Sequence, residues 1–323
     1  MSAPPHHFTV VLLIALALFA TACSSSSQPD AAKTSTTTTT TTATAPTTTI
    51  DLSIRANGLT FHALAAGPPT GRLVILLHGF PESSYEWRNQ LPGLARAGYH
   101  AVAPDQRGYS PGARPTNDAD YAIANMVADT IAIADHFHAQ KFDLIGHDWG
   151  AGVAWATAIA HPGRLRSLTA VSVPHPAAAS ENPNGEQHNK KGYIDTFVAP
   201  GAANALANPG FFRTAFGTSA TDADIAEAMK VLGTPAAMNA ALAWYRANDL
   251  RKGIGAGTPA VTVPTLFVCG TADCCLGCDA ADLTKNYVTG PYTYEVLDGV
   301  SHWIPEQAAL RLNALILRFL QKY

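Results

Sequence analysis

The sequence predicts an α/β fold in which a mostly parallel, eight-stranded sheet is flanked by helices and carries a helical insertion. Short β-rich runs bounded by turn residues occupy residues 51–56, 59–65, 73–78, 100–103, 142–146, 168–173, 264–269 and 292–297. Apolar residues recur at helical spacing between and after the later runs, as in residues 122–138 and 307–322. Alternation of strand and helix is typical of a parallel sheet that is covered on both faces.

Composition indicates a globular chain and excludes several binding classes. The chain has 323 residues, of which 47% are apolar and 14% are charged, so it can bury a large core. Its net charge of −3 argues against a nucleic-acid binder and against a basic protein held at a membrane surface. Five cysteines are too few for a disulfide scaffold of this length.

The N-terminal region predicts export. Residues 1–22 read as a signal peptide, because Phe8 to Ala20 is an apolar run too short to span a membrane comfortably. The small residues after this run lead to Cys23 and resemble the lipobox of bacterial lipoproteins, which predicts a lipid anchor on Cys23 at the outer side of the cell membrane. A secreted protein cleaved near the same point is the alternative. Residues 23–49 form a Ser/Thr-rich tether without the apolar residues that a core needs.

Strand-like runs stop between about residues 175 and 258. This stretch is rich in Ala and Asn and has helical pieces at 222–232 and 235–248. We therefore interpret residues 175–258 as a helical cap over the sheet. The core then comprises residues 50–174 and 259–323.

Two motifs follow predicted strands, at the sheet edge where α/β proteins carry their chemistry. His78-Gly79-Phe80-Pro81 comes directly after the run LVILL. Gly146-His147-Asp148-Trp149-Gly150 follows FDLI and precedes a helical pattern, which is the strand–turn–helix context of a nucleophile elbow. Asp148 occupies the nucleophile position. The alternative interpretation is a buried or helix-capping aspartate in a glycine turn.

With these motifs the chain resembles the α/β-hydrolase fold and, more narrowly, the epoxide hydrolases. The stretch HGFPESSYEW (78–87) matches the pattern of that family nearly residue for residue, and APDQRGYS (103–110) matches its D-x-R-G-Y segment. The resemblance covers about residues 50–323. It implies an acid after the seventh strand, where Asp273 stands, and a histidine before the final helix, where His302 stands. Asp279 is a rival for the acid, farther from the strand end.

An aspartate nucleophile indicates displacement at an sp³ carbon. The carboxylate of Asp148 is ionised at neutral pH, attacks without a base and becomes an ester. His302, oriented by Asp273, then acts as the general base for a water that hydrolyses this ester. The backbone N–H groups of Phe80 and Trp149 are the predicted oxyanion hole. Epoxides and alkyl halides both suit this chemistry.

Epoxide opening generates an alkoxide, which needs a proton donor. The resemblance implies two tyrosines of the cap for this purpose. Tyr193 stands seven residues before Pro200-Gly201, and Tyr245 belongs to the Trp-Tyr-Arg segment, as in the family. The alternative for each is an aromatic ring that packs the core of the cap.

The sequence therefore predicts an epoxide hydrolase that converts an epoxide and water to a vicinal diol. A haloalkane dehalogenase is the near alternative, with Trp149 and Trp244 as halide donors. A catalytically silent, surface-anchored binding protein is the third, and a missing triad member would favour it. No phosphate loop, dinucleotide fingerprint or metal motif is present, so no cofactor or metal is expected.

Four cysteines cluster after the seventh strand. Cys269 is expected to be buried in that strand. Cys274 and Cys275 are adjacent, and a bond between them would be strained, so pairing of either with Cys278 is expected. A zinc site is the rival, although the spacing fits no common pattern.

Overall fold

Eight strands form one sheet, as the sequence predicts. The protein is described by a computed structural model for residues 47–181, 192–248, 257–276 and 278–323. These residues belong to one compact unit, Thr44–Tyr323. The strands are β1 (Ile50–Ala56), β2 (Leu59–Ala66), β3 (Leu73–Leu77), β4 (His100–Pro104), β5 (Phe142–His147), β6 (Leu165–Val171), β7 (Thr265–Gly270) and β8 (Tyr292–Leu297).

The sheet order is β1-β2-β4-β3-β5-β6-β7-β8. β2 pairs antiparallel with both β1 and β4, and every later pairing is parallel. The carboxyl ends of β3, β5 and β7 therefore meet at one edge of the sheet, where crossover connections leave room for a site.

The helices of the core cover both faces of the sheet. They are α1 (Leu91–Arg96), α2 (Ile123–His136), α3 (Trp149–Ala160), α10 (Cys278–Leu283), α11 (Ile304–Gln307) and α12 (Ala309–Lys322). On one face α2 and α3 pack in the larger apolar cluster, and on the other α1 and α12 pack in the second. In both clusters the strands contribute side chains from alternating positions, as expected for a sheet that is buried on both sides.

β6 is the strand whose bounds differ most from the prediction. It begins at Leu165 rather than at residue 168, since exposed Arg166 and polar Ser167 hide the strand pattern. The Ser167 hydroxyl is buried and donates to the Asp143 carboxylate at 2.7 Å. The strand ends at Val171 because Ser172 adopts a left-handed φ of 67°.

The region predicted as a cap is helical where it is described. Its helices are α4 (Pro176–Glu181), α5 (Tyr193–Val198), α6 (Ala202–Leu206), α7 (Pro209–Phe216), α8 (Asp222–Leu232) and α9 (Pro235–Ala247). Hydrogen bonds join these helices to the core. The Trp244 indole N–H donates to the Arg107 carbonyl at 2.8 Å, and the Trp303 indole N–H donates to the Ala215 carbonyl at 3.2 Å.

The predicted signal peptide and Cys23 lie outside the described residues, as does the tether before residue 47. Within the described ranges, the structure has no helix that is both long enough and apolar enough to cross a bilayer.

Candidate active site

A tight turn between β5 and α3 presents Asp148 at the edge of the sheet. Asp148 adopts φ 49° and ψ −121°, a conformation that L-residues rarely occupy. The glycines around it are required by close backbone contacts. A Cβ atom on Gly146 would lie 2.2 Å from the Gly150 carbonyl oxygen, and one on Gly150 would lie 2.0 Å from that of Leu77. The turn therefore has the geometry of a nucleophile elbow.

The structure brings Asp148, His302 and Asp273 together. His302 Nε2 lies 3.5 Å from Asp148 Oδ2, and His302 Nδ1 lies 2.8 Å from Asp273 Oδ2. The other oxygen of Asp273 accepts the backbone N–H groups of Cys275 and Leu276 at 2.8 and 2.9 Å. The acid is thus held at both oxygens, and it orients the imidazole toward Asp148. The side chain of Asp279, the rival acid, lies outside the part of the chain that the structure describes.

The three groups shift one another's pKa. Burial raises the pKa of Asp148, but the hydrogen bond and charge of His302 outweigh it and lower this pKa overall. Burial also raises the pKa of Asp273. The charge of His302, the hydrogen bond from His302 and the backbone hydrogen bonds to Asp273 outweigh burial and lower this pKa overall. Burial lowers the pKa of His302, while the two carboxylates more than compensate and raise it well above 6.5. The resting site therefore holds two carboxylates around an imidazolium.

A backbone donor already binds the candidate nucleophile. The Phe80 N–H donates to Asp148 Oδ1 at 2.9 Å. Gly79 is needed beside it, because a Cβ atom there would lie 2.5 Å from the Asp148 Cβ atom. Trp149 is the first residue of α3, and the first N–H groups of a helix have no acceptor within the helix. Of the two predicted oxyanion donors, the Phe80 N–H thus binds the Asp148 carboxylate directly, and the Trp149 N–H belongs to the next residue in the chain.

The two cap tyrosines lie near Asp148. Tyr245, on α9, is buried and packs edge-to-face on Trp149 at 5.1 Å between ring centroids and on Phe80 at 5.4 Å. Tyr193, at the start of α5, lies 6.4 Å from Tyr245 by the same measure. Burial, followed by the charge of Asp148, raises the pKa of both phenols well above 10. Both hydroxyls are therefore protonated donors at neutral pH.

A cavity of about 320 Å³ opens beside Asp148. Its walls come from the core and from the cap, and Asp148 and Tyr193 are the ionisable residues among them. Most of the other walls are apolar, as in Ile159, Val173 and Leu276. This is the usual construction of a small-molecule site, with a few polar groups in an apolar pocket.

Sequence reasoning missed a buried acidic cluster behind the triad, made of Glu82, Glu86, Glu306 and His147. His147 Nε2 lies 2.9 Å from the His302 carbonyl, and Nδ1 lies 3.2 Å from Glu86 and 3.6 Å from Glu82. Glu86 also accepts the Gly79 N–H at 2.8 Å. The cluster therefore contacts the loops that carry Gly79, Asp148 and His302. The stretch HGFPESSYEW contains both glutamates, but their burial could not be derived from it.

Among the residues that the structure describes, two groups have potential metal-ligand atoms within 4.8 Å of one another. They are Glu82 with Glu86 and His147, and Asp273 with Cys274 and Cys275. In the first, burial raises the pKa of Glu82 to about 8, so a proton neutralises that carboxyl at neutral pH. In the second, both oxygens of Asp273 already bind His302 and backbone N–H groups. We assign a metal to neither group.

The cysteine contacts differ from the expected pairing of Cys274 or Cys275 with Cys278. The Sγ atom of Cys278 lies 2.8 Å from that of Cys269, and those of Cys274 and Cys275 lie 2.8 Å apart. Cys269 is buried in β7, as expected, but β7 turns its Sγ toward the start of α10. No pattern in the sequence shows that α10 begins against β7, and this packing makes Cys269 the neighbour of Cys278.

Comparisons with known proteins agree with this geometry. A family model of the alpha/beta hydrolase fold matches residues 72–309. The chain is 33% identical over 308 residues to Epoxide hydrolase A of Mycobacterium tuberculosis, which covers 83% of this chain and 96% of that protein. It is 37% identical over 279 residues to the AB hydrolase superfamily protein YfhM of Bacillus subtilis, with the same two shares. The crystal structure of Epoxide Hydrolase A from Mycobacterium thermoresistibile superposes with a TM-score of 0.75 at 29% identity, over 85% of this chain and 98% of that one.

Proposed function

The chain belongs to the α/β-hydrolase family, and on that premise we propose that it is an epoxide hydrolase that opens epoxides to vicinal diols. The observation that carries the proposal is the nucleophile position. It holds an aspartate in hydrogen-bond and charge contact with His302, with two protonated tyrosines close by. Relatives along most of the chain are epoxide hydrolases by name.

In the first half-reaction Asp148 attacks an epoxide carbon. Its Oδ1 atom is held by the Phe80 N–H, so Oδ2 is the oxygen left to form the new C–O bond. In-line displacement sends the epoxide oxygen to the opposite side. There Tyr193 and Tyr245 donate hydrogen bonds to the developing alkoxide, and one of them transfers its proton. The raised pKa of both phenols keeps these protons in place until the alkoxide forms.

In the second half-reaction His302 removes a proton from water, and the hydroxide attacks Cγ of the Asp148 ester. The Asp148 charge is one of the two that raise the pKa of His302. Alkylation removes that charge, so the pKa of His302 falls and the imidazolium loses its proton, which restores the phenol that protonated the alkoxide. We infer that ester formation itself converts His302 into a base. The Phe80 and Trp149 N–H groups then stabilise the tetrahedral oxyanion.

The cavity supports a substrate class. Its volume of about 320 Å³ and its apolar walls fit an apolar epoxide of modest size rather than a charged or sugar-like one. The only ionisable groups among its described walls are Asp148 and Tyr193. The epoxide ring is the part of such a substrate that they would engage, Asp148 at a ring carbon and the Tyr193 hydroxyl at the ring oxygen.

Two contacts argue against the dehalogenase alternative. The Trp244 indole N–H is occupied by the Arg107 carbonyl at 2.8 Å and is not available to a halide. Trp149 hydrogen-bonds to Tyr245 through its side chain, which lowers the pKa of that phenol slightly against the larger raising effects. Neither indole is thus a ready halide donor.

Product analysis and adduct trapping test the proposal together. Purified protein should convert an apolar epoxide to a diol and release no halide from a matched bromoalkane. His302→Gln should still be alkylated but hydrolyse slowly, so mass spectrometry should find an adduct on the peptide that contains Asp148. Asp148→Ala is the control and should carry none. Halide release without diol formation, or an adduct on Asp273, would contradict the proposal.

We also propose that the protein is exported and anchored to the outer side of the cell membrane by lipid on Cys23. The support is the sequence alone: an apolar run, three small residues and then a cysteine, followed by a Ser/Thr-rich segment.

A further inference from the structure

Cys269 and Cys278 lie at the two ends of the loop that carries Asp273. Cys269 is near the end of β7 and is only 3% exposed. Cys278 is the first residue of α10 and is half-buried. Their Sγ atoms are 2.8 Å apart, so a movement of less than about 1 Å would bring them to the length of a disulfide bond.

The surroundings of this pair hold it inside the fold. The Tyr294 hydroxyl lies 3.2 Å from the Cys269 Sγ atom, and the Cys278 thiol donates to the Gly270 carbonyl at 3.4 Å. Cys274 and Cys275 also have Sγ atoms 2.8 Å apart, but they are adjacent in the chain. A disulfide between neighbours closes a small, strained ring, whereas a bond between Cys269 and Cys278 spans eight intervening residues.

We propose that Cys269 and Cys278 form a disulfide, which closes the chain between them into a ring that contains Asp273. The disulfide does not depend on the proposed function. It is a modification site that acts on the positioning of the acid.

The bond forms by exchange with a low-molecular-weight disulfide such as oxidised glutathione. The thiolate of Cys278, the more accessible of the two, attacks one sulfur of that disulfide and releases one thiol. Cys269 then attacks the mixed disulfide on Cys278 and releases the second thiol. The two protons of the protein thiols end on the two released thiols, and two electrons pass to the small disulfide. Hydrogen bonds from Cys278 and from the Tyr294 hydroxyl lower the pKa of Cys269. The one from Tyr294 persists once Cys278 is in the mixed disulfide, and it favours the second attack.

The ring supports the contacts that aim Asp273. The Oδ1 atom of Asp273 accepts hydrogen bonds from the N–H groups of Cys275 and Leu276, which belong to the same loop. The Oδ2 atom of Asp273 binds His302. Fixing both ends of the loop restricts the conformations in which these contacts are lost. Closing a ring of this length in the unfolded chain should also raise the Tm by about 5–10 °C.

Peptide mapping of the variant Cys274→Ser/Cys275→Ser tests the pairing directly. The variant is equilibrated with oxidised or with reduced glutathione, its remaining thiols are alkylated, and it is cleaved before aspartates. Cleavage before Asp273 and Asp279 separates residues 249–272, which contain Cys269, from residues 273–278, which contain Cys278. The oxidised sample should contain these two peptides joined, and the reduced sample should contain them apart. Alkylated Cys269 and Cys278 in the oxidised sample would overturn the proposal.

Two further measurements complete the test. In the wild-type protein the same digestion should again join the two peptides. If residues 273–278 hold a disulfide within themselves and are not joined to residues 249–272, with Cys269 alkylated, Cys278 does not pair with Cys269 and the proposal would be wrong. The Tm of Cys274→Ser/Cys275→Ser should fall by about 5–10 °C on reduction, whereas that of Cys269→Ser/Cys278→Ser should not change. Equal Tm values for the oxidised and reduced forms of Cys274→Ser/Cys275→Ser would show that the disulfide does not stabilise the fold and would contradict the proposal.

Discussion

The core and the cap contribute opposite kinds of group to the candidate site. The core contributes two carboxylates and a histidine joined by contacts of 2.8 and 3.5 Å, with lowered pKa values for the acids and a raised one for His302. The cap contributes Tyr193 and Tyr245, two neutral phenols with raised pKa values. Ring packing places the phenols, together with the side-chain hydrogen bond between Trp149 and Tyr245.

This difference predicts how activity responds to substitutions in the core half of the site, which is the triad, and in the cap half, which is the two tyrosines. The three core groups have different roles, so none can replace another. The two phenols have the same chemistry and, in the proposed mechanism, donate to the same alkoxide, so each is expected to compensate partly for loss of the other. The following substitutions are expected to have different effects on activity in the two halves.

The largest effect is expected from Asp148→Ala. Loss of the nucleophile prevents the ester from forming, and kcat/KM for an epoxide should fall by about 10⁴-fold or more. Steady-state diol formation measures this loss. Asp135→Ala, which alters an exposed aspartate on α2, is the control and should retain normal activity. A fall of less than tenfold in Asp148→Ala would mean that another group is the nucleophile.

The double change Tyr193→Phe/Tyr245→Phe should come next. General acid assistance is worth about 10²–10⁴-fold, so the double variant should be close to inactive on epoxides, while each single variant loses less. Single-turnover measurement of the alkylation rate is the appropriate assay. Tyr292→Phe removes a hydroxyl on β8 and serves as the matched control. If the double variant keeps full activity and releases halide, the dehalogenase alternative is correct.

Glu82→Gln should change the pH dependence of stability rather than the chemistry. Burial, with the charge of Glu86, raises the pKa of Glu82 from 4.5 to about 8. The native state then holds this proton more tightly than the unfolded state, so the stability that the protonated carboxyl provides is lost as pH rises from 4.5 to 8. The variant should lack this decline and be more stable than wild type by a few kcal/mol at pH 8.

Urea unfolding at pH 5, 6.5 and 8 measures this difference. Glu227→Gln, which changes a more exposed glutamate on α8, should follow the wild-type pH profile. Parallel profiles for wild type and Glu82→Gln would refute the idea that a buried, protonated Glu82 lies beneath the triad.

Cys23→Ser should affect neither half of the site. If Cys23 carries lipid, the variant should leave the membrane fraction of a bacterial host that processes lipoproteins, while kcat and KM stay unchanged. Fractionation followed by an activity assay of each fraction is the measurement. Ala22 is the matched control position, because Ala22→Gly keeps a small residue before the cysteine. Unchanged partitioning of Cys23→Ser would rule out the anchor.

Much of the core half could be predicted from the sequence, because its signals are local. Asp148 follows a buried strand and sits in a turn whose glycines, Gly146 and Gly150, are needed by the backbone. All eight predicted strands are confirmed, with the largest shift at β6. The cap tyrosines had weaker support, since nothing local distinguishes a donor from a ring that packs a helix. Their position near Asp148 depends on how α5 and α9 pack against the core.

The sequence by itself determined which residues are available for chemistry and the alternation of strands and helices that brings turn residues to one edge of a parallel sheet. Those properties follow from periodicity, from glycine requirements and from the fixed handedness of parallel crossovers. Only the tertiary structure decided what depends on contacts between distant segments: the burial that raises the pKa of Glu82, the approach of Cys278 to Cys269, and the packing of Tyr245 on Trp149. Burial and through-space contact are sums over many segments of the chain, and no local pattern in the sequence contains them.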